Sequence, residues 1–351
     1  MIYFDVTKAA RSRQRSGLTR VSARLREELG TAACPVKWQG GWRAARDGEA
    51  IQPAPADWVL TAELFSEEER PGFGAFLRER RCGLAAIFHD AIPLRHPHIT
   101  WPRSVARHPS YLKLLADFDR VWAVSEASRS DLEGFWRWQG VRGRAPVDTI
   151  PLGADFNGAP RVVERSAPAG ARRRPSLLSV GILEPRKNQA LLLDVCTALW
   201  SDGLEFDLHL AGRVNPHFGA RLEDRIRALR REWDGLHHHP APDDATLARL
   251  YSGARASLFP TIAEGCGLPL LESLWLGVPC LCSDLPVLRE KADAGGCAPL
   301  AAGDPAAWAG GLRRLLTDET FVAGLQAGLA RRALPTWAQT AHVVVSALTP
   351  R

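Results

Sequence analysis

Leu258–Glu290 reads LFPTIAEGCGLPLLESLWLGVPCLCSDLPVLRE, and this stretch decides the fold of the 351-residue chain. Its apolar beginning predicts a strand that ends at Phe259-Pro260, and a loop with two glycines follows. A helix then begins near Leu268–Pro269, where proline suits the first turn, and Gly277 is placed to end it as a left-handed cap. The next strand starts at Val278. A strand, a helix and a strand in this order predict a parallel sheet covered by helices.

The same alternation extends along the whole chain. The predicted strands are Ile2–Val6, Trp58–Thr61, Leu84–His89, Arg120–Ser125, Asp148–Ile150, Ser176–Gly181, Glu205–Ala211, Leu236–His239, Arg255–Phe259 and Val278–Ser283. The other predicted helices are Leu18–Leu29, Ser104–Ala116, Ala127–Trp136, Gln189–Trp200, Leu222–Trp233, Ala245–Ser252 and Thr336–Leu348. This pattern predicts an α/β fold made of doubly wound, Rossmann-like sheets with helices on both faces.

One segment interrupts the alternation and divides the chain. Residues Asn157–Pro175 are rich in Pro, Gly, Ala and Arg and lack apolar periodicity, which is typical of an interdomain linker. We therefore predict an N-terminal domain of residues 1–160, a C-terminal domain of residues 161–335 and a terminal helix in residues 336–351 that could cross back to the first domain. Two such domains are expected to face each other across a cleft, with ligands beyond the carboxyl ends of the strands.

Composition narrows the class of protein. Hydrophobic residues make up 46% and charged residues 24%, which is ordinary for a globular chain and excludes a disordered one. The net charge of +6 favours anionic ligands but does not indicate nucleic acid. Seven cysteines without a CxxC motif support neither a disulfide framework nor a zinc site. The early charges argue against a signal peptide, and no apolar run approaches the ~18 residues of a membrane span. We expect a cytoplasmic protein.

Two glutamates flank the start of the helix that begins near Leu268. Glu264 lies on the glycine loop, and Glu272 follows eight residues later, inside the helix. Free N–H groups at a helix N-terminus, together with its dipole, suit an anion such as a diphosphate. Carboxylates accept hydrogen bonds and so suit the hydroxyls of a sugar or ribose. The alternative is a capping loop with two surface glutamates, but the placement of the glycines and the proline favours a binding loop.

Two adjacent cations follow another predicted strand of the same domain. The segment Leu178–Ala190 reads LSVGILEPRKNQA, with a strand that ends at Gly181 and a loop that presents Arg186 and Lys187. Two cations at a strand end can neutralise a diphosphate leaving group. Taken alone, the pair is more simply interpreted as a solvated basic turn.

A histidine and an aspartate follow a strand of the first domain. Residues Ala86–Pro97 read AIFHDAIPLRHP, in which His89 and Asp90 come directly after apolar residues. A neutral imidazole can donate or accept a hydrogen bond to a ligand hydroxyl. The alternative is a capped turn in which Asp90 serves as the helix cap and His89 is packed.

These segments together resemble the retaining glycosyltransferases of family 4, the glycosyl transferases group 1, which have the two-domain GT-B fold. The resemblance rests on Glu264-x7-Glu272 within EGCGLPLLESLWLGVP, on EPRKN around Arg186 and on the HD-x-x-P loop at His89. It implies a nucleotide-sugar donor held mainly by the C-terminal domain. It further implies that Glu272 binds the ribose, while Glu264 contacts the donor sugar and the reacting centre.

The resemblance also assigns the remaining donor contacts. Arg186 and Lys187 would bind the diphosphate, and His89 would reach a hydroxyl of the donor sugar. Backbone amides would face the sugar and the phosphates, and glycines would leave room at two strand ends. The amides are those of Cys266, Gly267 and Leu268. The glycines are Gly181 and Gly212. One departure is Cys266, where an aromatic residue is common in the family.

A loop near the start of the chain suggests the branch of the family. The residues Arg15–Val21, RSGLTRV, resemble the GIxRV loop of the mannosyltransferase-like members. On this resemblance Gly17, Arg20 and Asp90 are expected on the acceptor side. Seven basic residues lie between Lys8 and Arg26. They could contact an acidic membrane face or a phosphorylated acceptor, but a solvated helix face is the favoured interpretation.

Other signals point to metals or to other enzyme classes, and none is adopted. Asp117-Phe118-Asp119 mimics a metal-binding DxD motif but lies at the N-terminal edge of a predicted strand. In His237-His238-His239, successive side chains of a strand alternate between faces, so only the two outer ones share a face. GxGxxG, GxxxxGKS, HExxH and GxSxG are absent, which argues against dehydrogenases, P-loop NTPases, zincins and α/β-hydrolases. We predict no metal and no cofactor.

The resemblance therefore implies a metal-independent, retaining hexosyltransferase of polysaccharide biosynthesis. It would transfer a sugar from a nucleotide diphosphate donor, with GDP-mannose as the first choice, to a saccharide or lipid-linked acceptor. Two alternatives stay open: a nucleotide-sugar hydrolase or epimerase of the same fold, and a degenerate sugar-nucleotide-binding or scaffold protein. The second alternative is disfavoured because Glu264, Glu272, Arg186 and Lys187 are all present.

Overall fold

The computed structural model describes residues 1–11, 17–163 and 174–349. It divides into two compact units, one of residues 1–153 with 335–351 and one of residues 154–334. The division falls between Gly153 and Ala154, before the predicted boundary at residue 160, and the terminal segment groups with the first unit. Residues 164–173, the larger part of the predicted linker, lie outside the described residues.

The first unit is built on a parallel sheet. Among the described residues this sheet has seven strands in the order β3-β2-β1-β4-β5-β6-β7. The strands are β1 (Ile2–Asp5), β2 (Ala33–Trp38), β3 (Trp42–Ala44), β4 (Trp58–Thr61), β5 (Gly83–Phe88), β6 (Arg120–Ala123) and β7 (Val147–Thr149). The helices before the second unit are α1 (Gly17–Leu29), α2 (Phe73–Glu79), α3 (Ile92–Arg95), α4 (Pro102–Leu115) and α5 (Glu126–Trp138). Only β3, which pairs with β2, runs antiparallel in the described sheet.

The second unit repeats the architecture. Its described residues form a six-stranded, wholly parallel sheet in the order β10-β9-β8-β11-β12-β13. The strands are β8 (Ser176–Val180), β9 (Asp207–Ala211), β10 (Leu236–His239), β11 (Ala256–Phe259), β12 (Cys280–Ser283) and β13 (Cys297–Leu300). The helices are α6 (Gln189–Ser201), α7 (Ala220–Leu229), α8 (Asp244–Gly253), α9 (Leu268–Trp275), α10 (Pro286–Ala292), α11 (Pro305–Thr317) and α12 (Glu319–Arg331). The prediction of two Rossmann-like α/β sheets is confirmed.

The strands that the sequence pattern did not predict contain proline or lie at an edge. The N–H that Pro35 lacks would face β3, which pairs with β2 only from Val36 onward. The Pro35 carbonyl, on the same side, accepts from the Ala45 amide over 2.9 Å. Pro299 lies in β13, the last strand of the second sheet. Proline is tolerated at such places because no ladder hydrogen bond is lost there.

The last helix, α13 (Trp337–Leu348), belongs to the first unit and packs against α1. Thr336 and Gln339 form a capping box at its start. Thr340 Oγ1 donates to the Pro151 carbonyl over 2.7 Å, which fixes the helix to the end of the first unit. Across the described residues, no helix combines the length and the apolarity that crossing a bilayer requires.

A close approach at Gly153 makes this packing testable. A Cβ built on Gly153 would lie 2.3 Å from the Trp337 backbone nitrogen, which a side chain cannot avoid by rotation. We expect Gly153→Ala to lower the free energy of unfolding by about 1–3 kcal/mol, as overpacking does. Urea unfolding measures this change.

The matched control is Gly310→Ala, at an exposed position in α11 where an added Cβ meets no atom within 4 Å. Alanine inside an exposed helix should stabilise by about 0.5–1 kcal/mol. Equal stability of Gly153→Ala and the parent chain would contradict the described packing of α13.

Candidate active site

Two loops meet at the carboxyl ends of β8 and β11, which are neighbours in the centre of the second sheet. After β8, a short 3-10 helix, Pro185–Lys187, carries the two predicted cations. After β11, the loop that leads to Glu264 folds back onto them. Thr261 Oγ1 and the Ile262 amide both donate to the Arg186 carbonyl, over 3.0 and 2.9 Å. Residues about 75 positions apart are thereby joined, as expected for adjacent parallel strands.

Glu264 is the common partner of both cations. Lys187 Nζ lies 2.6 Å and Arg186 Nη1 lies 3.2 Å from the same oxygen, Glu264 Oε2. Arg186 also donates to the Ala263 carbonyl over 3.0 Å and pairs with Glu184 over 2.9 Å. The Lys187 side chain is only 9% exposed, so the pair lies largely out of water. The structure thus brings together three of the four predicted catalytic residues.

Burial and charge oppose each other in this cluster. Burial lowers the pKa of Lys187, and the attraction of Glu264 only partly offsets it, while Arg186 adds to the lowering. Burial would raise the pKa of Glu264, but Lys187 and Arg186 outweigh it and hold that pKa below its usual range. The Lys187 ammonium has therefore lost contact with water on burial, and its interaction with Glu264 compensates for only part of that loss. A further anion beside it would restore the pKa toward its ordinary value.

The ammonium group of Lys187 has hydrogen-bonding capacity to spare. It carries three N–H donors. Within the described part of the chain, its one hydrogen-bond acceptor is Glu264, and its other neighbour is the ring of Phe259, with a centroid 4.7 Å away. Donors of this kind, fixed by an ion pair and shielded from bulk water, suit an anionic ligand.

A helix tip lies next to this cluster along the chain. Gly267 adopts a left-handed φ of 85° directly before α9, and a Cβ there would lie 2.8 Å from Leu288 Cδ2. Pro269 has no N–H, and the amides of Leu270 and Leu271 both donate to the Gly267 carbonyl. The amides that this tip can turn toward a ligand are therefore those before Pro269, which include Gly267 and Leu268. Their predicted contacts with sugar and phosphate remain predictions.

Two glycines keep neighbouring strand ends close together. A Cβ on Gly212, after β9, would lie 1.9 Å from the Gly181 carbonyl oxygen, after β8. Gly181 in turn lies against the aliphatic stem of Lys187, whose Cδ would be 3.5 Å from an added Cβ. Gly212 thus requires glycine for packing within the protein, a reason that the sequence pattern did not reveal. At Gly181 the contact is an ordinary one, and the preference for glycine comes from its φ of 155°.

The predicted ribose ligand, Glu272, is buried within α9 and only 4% exposed. Its carboxylate and that of Glu264 both act electrostatically on the thiol of Cys266. Burial, with help from these carboxylates, raises the pKa of Cys266 to about 12, so the thiol stays protonated at neutral pH. Cys266 is consequently a small, neutral, buried group that lies between the two predicted glutamates in the sequence.

The sequence analysis did not predict the two residues that hold the Arg186 side chain in place, Glu184 and Asn215. Glu184 accepts from Arg186 Nε over 3.0 Å, and Asn215 Nδ2 donates to Glu184 over 2.8 Å. Glu184 belongs to the EPRKN segment and could have been suspected from it. Asn215 follows β9, and no sequence signal marked it.

The fourth predicted catalytic residue, His89, belongs to the first unit. It follows β5 and is 8% exposed, and its Nε2 lies 2.8 Å from the Ala62 carbonyl. A carbonyl can only accept, so Nε2 carries the proton and Nδ1 is the acceptor. Burial lowers the pKa of His89, which keeps the ring neutral. Asp90 accepts from the Ile92 amide over 3.0 Å and so forms the turn before α3.

The other predicted acceptor-side residues lie at the start of α1. Gly17 is its first residue and Arg20 lies in its first turn, whereas Arg15 and Ser16 are outside the described residues. A buried charge network that the sequence did not reveal fixes the chain at Lys8 and Ala9, directly after β1. Arg70, 1% exposed, pairs over 2.6 Å with Asp5 and over 2.6 Å with Glu63.

Glu63 connects this network to the chain after β1, since it accepts from the Lys8 and Ala9 amides over 2.8 Å. Burial, reinforced by Asp5, raises the pKa of Glu63 to about 7.

In the DxD-like motif, Asp119 has a structural role. It accepts from Arg80 over 2.8 Å and from the Leu84 amide over 2.7 Å.

Comparison with known proteins finds a family match in the second unit. Residues 164–333 match the family model described as glycosyl transferases group 1. The serotype-specific mannosyltransferase WbdA of Escherichia coli is 29% identical over 260 residues, which cover 66% of this chain and 29% of WbdA. The GDP-mannose-dependent alpha-(1-6)-phosphatidylinositol dimannoside mannosyltransferase of Mycobacterium tuberculosis is 24% identical over 270 residues, or 75% of this chain and 68% of that protein. The chain therefore spans less than a third of WbdA.

Solved structures share the fold. Sucrose-phosphate synthase from Thermosynechococcus elongatus superposes with a TM-score of 0.74 at 18% identity and covers 99% of this chain and 97% of its own. WaaG, a glycosyltransferase involved in lipopolysaccharide biosynthesis, gives a TM-score of 0.67 at 13% identity over 100% of both chains. These likenesses confirm the predicted GT-B class of fold.

The ion pairs of Glu264 predict a pH-dependent stability. Glu264→Gln leaves Lys187 and Arg186 buried without their shared counter-charge, which should cost ~3–5 kcal/mol of unfolding free energy at neutral pH. Because the folded-state pKa of Glu264 is lowered, its stabilisation is present above the unfolded value of about 4.5 and is lost as the pH falls through the folded one. The deficit of the variant should therefore shrink in acid.

Urea unfolding at neutral and acidic pH checks this expectation. Glu319→Gln is the control, since Glu319 is 80% exposed and pairs with Arg255 over 2.7 Å. Its loss should cost about 0–1 kcal/mol. A Glu264→Gln deficit that is small, or that does not change with pH, would show that the ion pairs are not formed in solution.

Proposed function

We propose that this chain, whose residues 164–333 belong to the glycosyl transferases group 1 family, is a retaining glycosyltransferase that uses a nucleotide diphosphate sugar. The observation that carries the proposal is the partly buried cluster of Arg186, Lys187 and Glu264 at the carboxyl ends of two central strands. Carboxyl ends of central strands are where ligands bind in open parallel sheets. The two cations, of which Lys187 is buried, are suited to a group that gains negative charge during the reaction.

The leaving diphosphate is the group that these cations would stabilise. As the bond between the sugar and the diphosphate lengthens, negative charge grows on the phosphate oxygens. Lys187 has ammonium donors beyond the one that Glu264 occupies, and the tip of α9 adds amides and a dipole. We propose that these groups supply the positive charge, so that transfer requires no divalent metal ion.

Glu264 is poorly suited to attack the sugar. Its carboxylate is engaged by two cations, and its lowered pKa reflects a charge that is already stabilised. A carboxylate held in this way is a weak nucleophile. We therefore assign no covalent intermediate: Glu264 orients the donor sugar, Glu272 holds the ribose, and the departing diphosphate takes the acceptor proton on the same face. The new bond then keeps the anomeric configuration of the donor.

For donor and acceptor, the names of the relatives give the first choice. WbdA is named a mannosyltransferase, and the Mycobacterium tuberculosis relative is named GDP-mannose-dependent. We propose that this chain transfers mannose from GDP-mannose to a saccharide or lipid-linked acceptor. A solved relative in the fold comparison was crystallised with UDP and glucose, so a UDP-sugar is the competing donor to be tested.

The residues of the first unit complete the proposal. His89 presents a neutral ring whose Nδ1 can accept a hydrogen bond from a sugar hydroxyl, and the pKa lowered by burial makes this ring a weak general base. Gly17 and Arg20 lie in the first turn of α1, within the basic segment, and Asp90 shapes the turn beside His89. We assign these three residues to the acceptor side.

The experiment measures GDP release from GDP-mannose and UDP release from UDP-glucose, with and without a mannoside acceptor. We expect release from GDP-mannose that depends on acceptor, and a product that retains the donor configuration by NMR. Arg186→Ala should reduce the transfer rate by about 10²–10³, the usual effect of removing a donor to a developing anion.

Arg227→Ala, on α7 and 61% exposed, is the matched control and should transfer at the parent rate. Transfer by Arg186→Ala at the parent rate would refute the role of this side chain. Release without acceptor would favour a hydrolase, and no release from either donor would favour a sugar-nucleotide-binding protein without activity.

A further inference from the structure

The surface of β9 and its edge neighbour β10 concentrates metal-binding side chains. In this parallel pair His237 lies opposite His209. Residues two apart on a strand share a face, so each strand contributes two side chains to one surface. We call this group the histidine face, and it consists of Asp207, His209, His237 and His239.

The polar atoms of the histidine face lie close together. One carboxylate oxygen of Asp207 and one ring nitrogen each of His209 and His237 are all within 4.8 Å of one another. His237 Nε2 lies 3.2 Å from Asp207 Oδ1, and His209 Nδ1 lies 2.9 Å from His239 Nε2. Ligands at about 2.0–2.1 Å from a tetrahedral zinc ion are themselves separated by roughly 3.3 Å. The two measured separations lie slightly below that value, and the 4.8 Å limit on the group lies above it.

We propose that the histidine face binds one divalent transition-metal ion of the zinc class. Imidazole nitrogens with a single carboxylate suit Zn²⁺, Ni²⁺ or Co²⁺, whereas Mg²⁺ and Ca²⁺ prefer oxygen ligands. The Asp207 and His237 side chains are 22% and 37% exposed, so an ion can enter and water can complete its coordination.

Binding requires a small adjustment of the rings. The His209 ring stacks on that of His237 at 4.5 Å and 17°, and on that of His239 at 5.2 Å and 26°. An ion lies near the plane of each imidazole that binds it, so the rings must tilt about their terminal torsions. These torsions are broad in histidine, and the half-exposed surface leaves room for the movement.

The sequence interpretation missed this site because it considered one strand. The alternation of faces does separate His238 from its neighbours, and His238 Nε2 contacts the Gly212 carbonyl at 3.1 Å. The third imidazole and the carboxylate come from β9, about 30 residues earlier in the chain. Only the register of the two strands brings them to His237 and His239.

An ion here would brace the sheet edge and would not take part in the transfer reaction. It would cross-link β9 to β10 just before Gly212 in the chain. The Gly212 amide already joins the two strands, since it donates to the His239 carbonyl over 3.0 Å. An ion that binds the folded unit and not the unfolded chain raises the melting temperature. The proposal is therefore tested by stability and spectroscopy and does not depend on the proposed transferase activity.

The test uses the full chain, treated with EDTA, dialysed and titrated with ZnCl₂ alone. We expect one ion per chain by calorimetry, and a rise in melting temperature of about 5–10 °C at 100 times the dissociation constant. MgCl₂ should leave the melting temperature unchanged. His237→Ala and His209→Ala should lose the zinc-dependent rise, whereas His238→Ala, on the opposite face of the same strand, should keep it.

Cobalt provides a second readout that does not depend on variants. Co²⁺ bound at the histidine face should show visible d–d absorption without the near-ultraviolet charge-transfer band of a thiolate ligand. That band would assign the ion to the cysteines and overturn the proposal. No zinc binding, or an undiminished rise in the two ring variants, would overturn it as well.

Discussion

The burial of Lys187 against Glu264 is the constraint on which the candidate site depends. A lysine in this position is costly unless charge partners surround it, and the protein provides one carboxylate shared with Arg186. The burial that lowers the pKa of Lys187 also strengthens its attraction for any further anion, because the surroundings screen charge weakly. The same arrangement thus accounts for a stability requirement and for the proposed preference for a diphosphate.

The geometry of the second sheet explains why this arrangement was predictable. Strand ends that are adjacent in a parallel sheet place their loops together, so the cation pair after β8 and the acid after β11 come close to each other. The Arg186, Lys187 and Glu264 contacts follow from that rule. The glycine before α9 and the strand–helix alternation were likewise visible in the sequence, because φ preferences and apolar periodicity are local properties.

What could not be predicted depends on pairing between distant segments. The Asp5–Arg70–Glu63 network joins three separate stretches of the first unit, and no single stretch announces it. The histidine face needs the register of β9 on β10, which periodicity does not give. The strands at Ala33–Trp38 and Cys297–Leu300 were missed because proline usually argues against a strand, and only their neighbours show that its missing N–H costs nothing there.

A crystal structure with GDP bound would test the central claim most directly. The account predicts diphosphate oxygens within about 3.2 Å of both the Lys187 ammonium and the Arg186 guanidinium, with amides at the tip of α9 completing the shell. An ordered GDP whose diphosphate lies away from both cations, with the pairs to Glu264 unchanged, would contradict it.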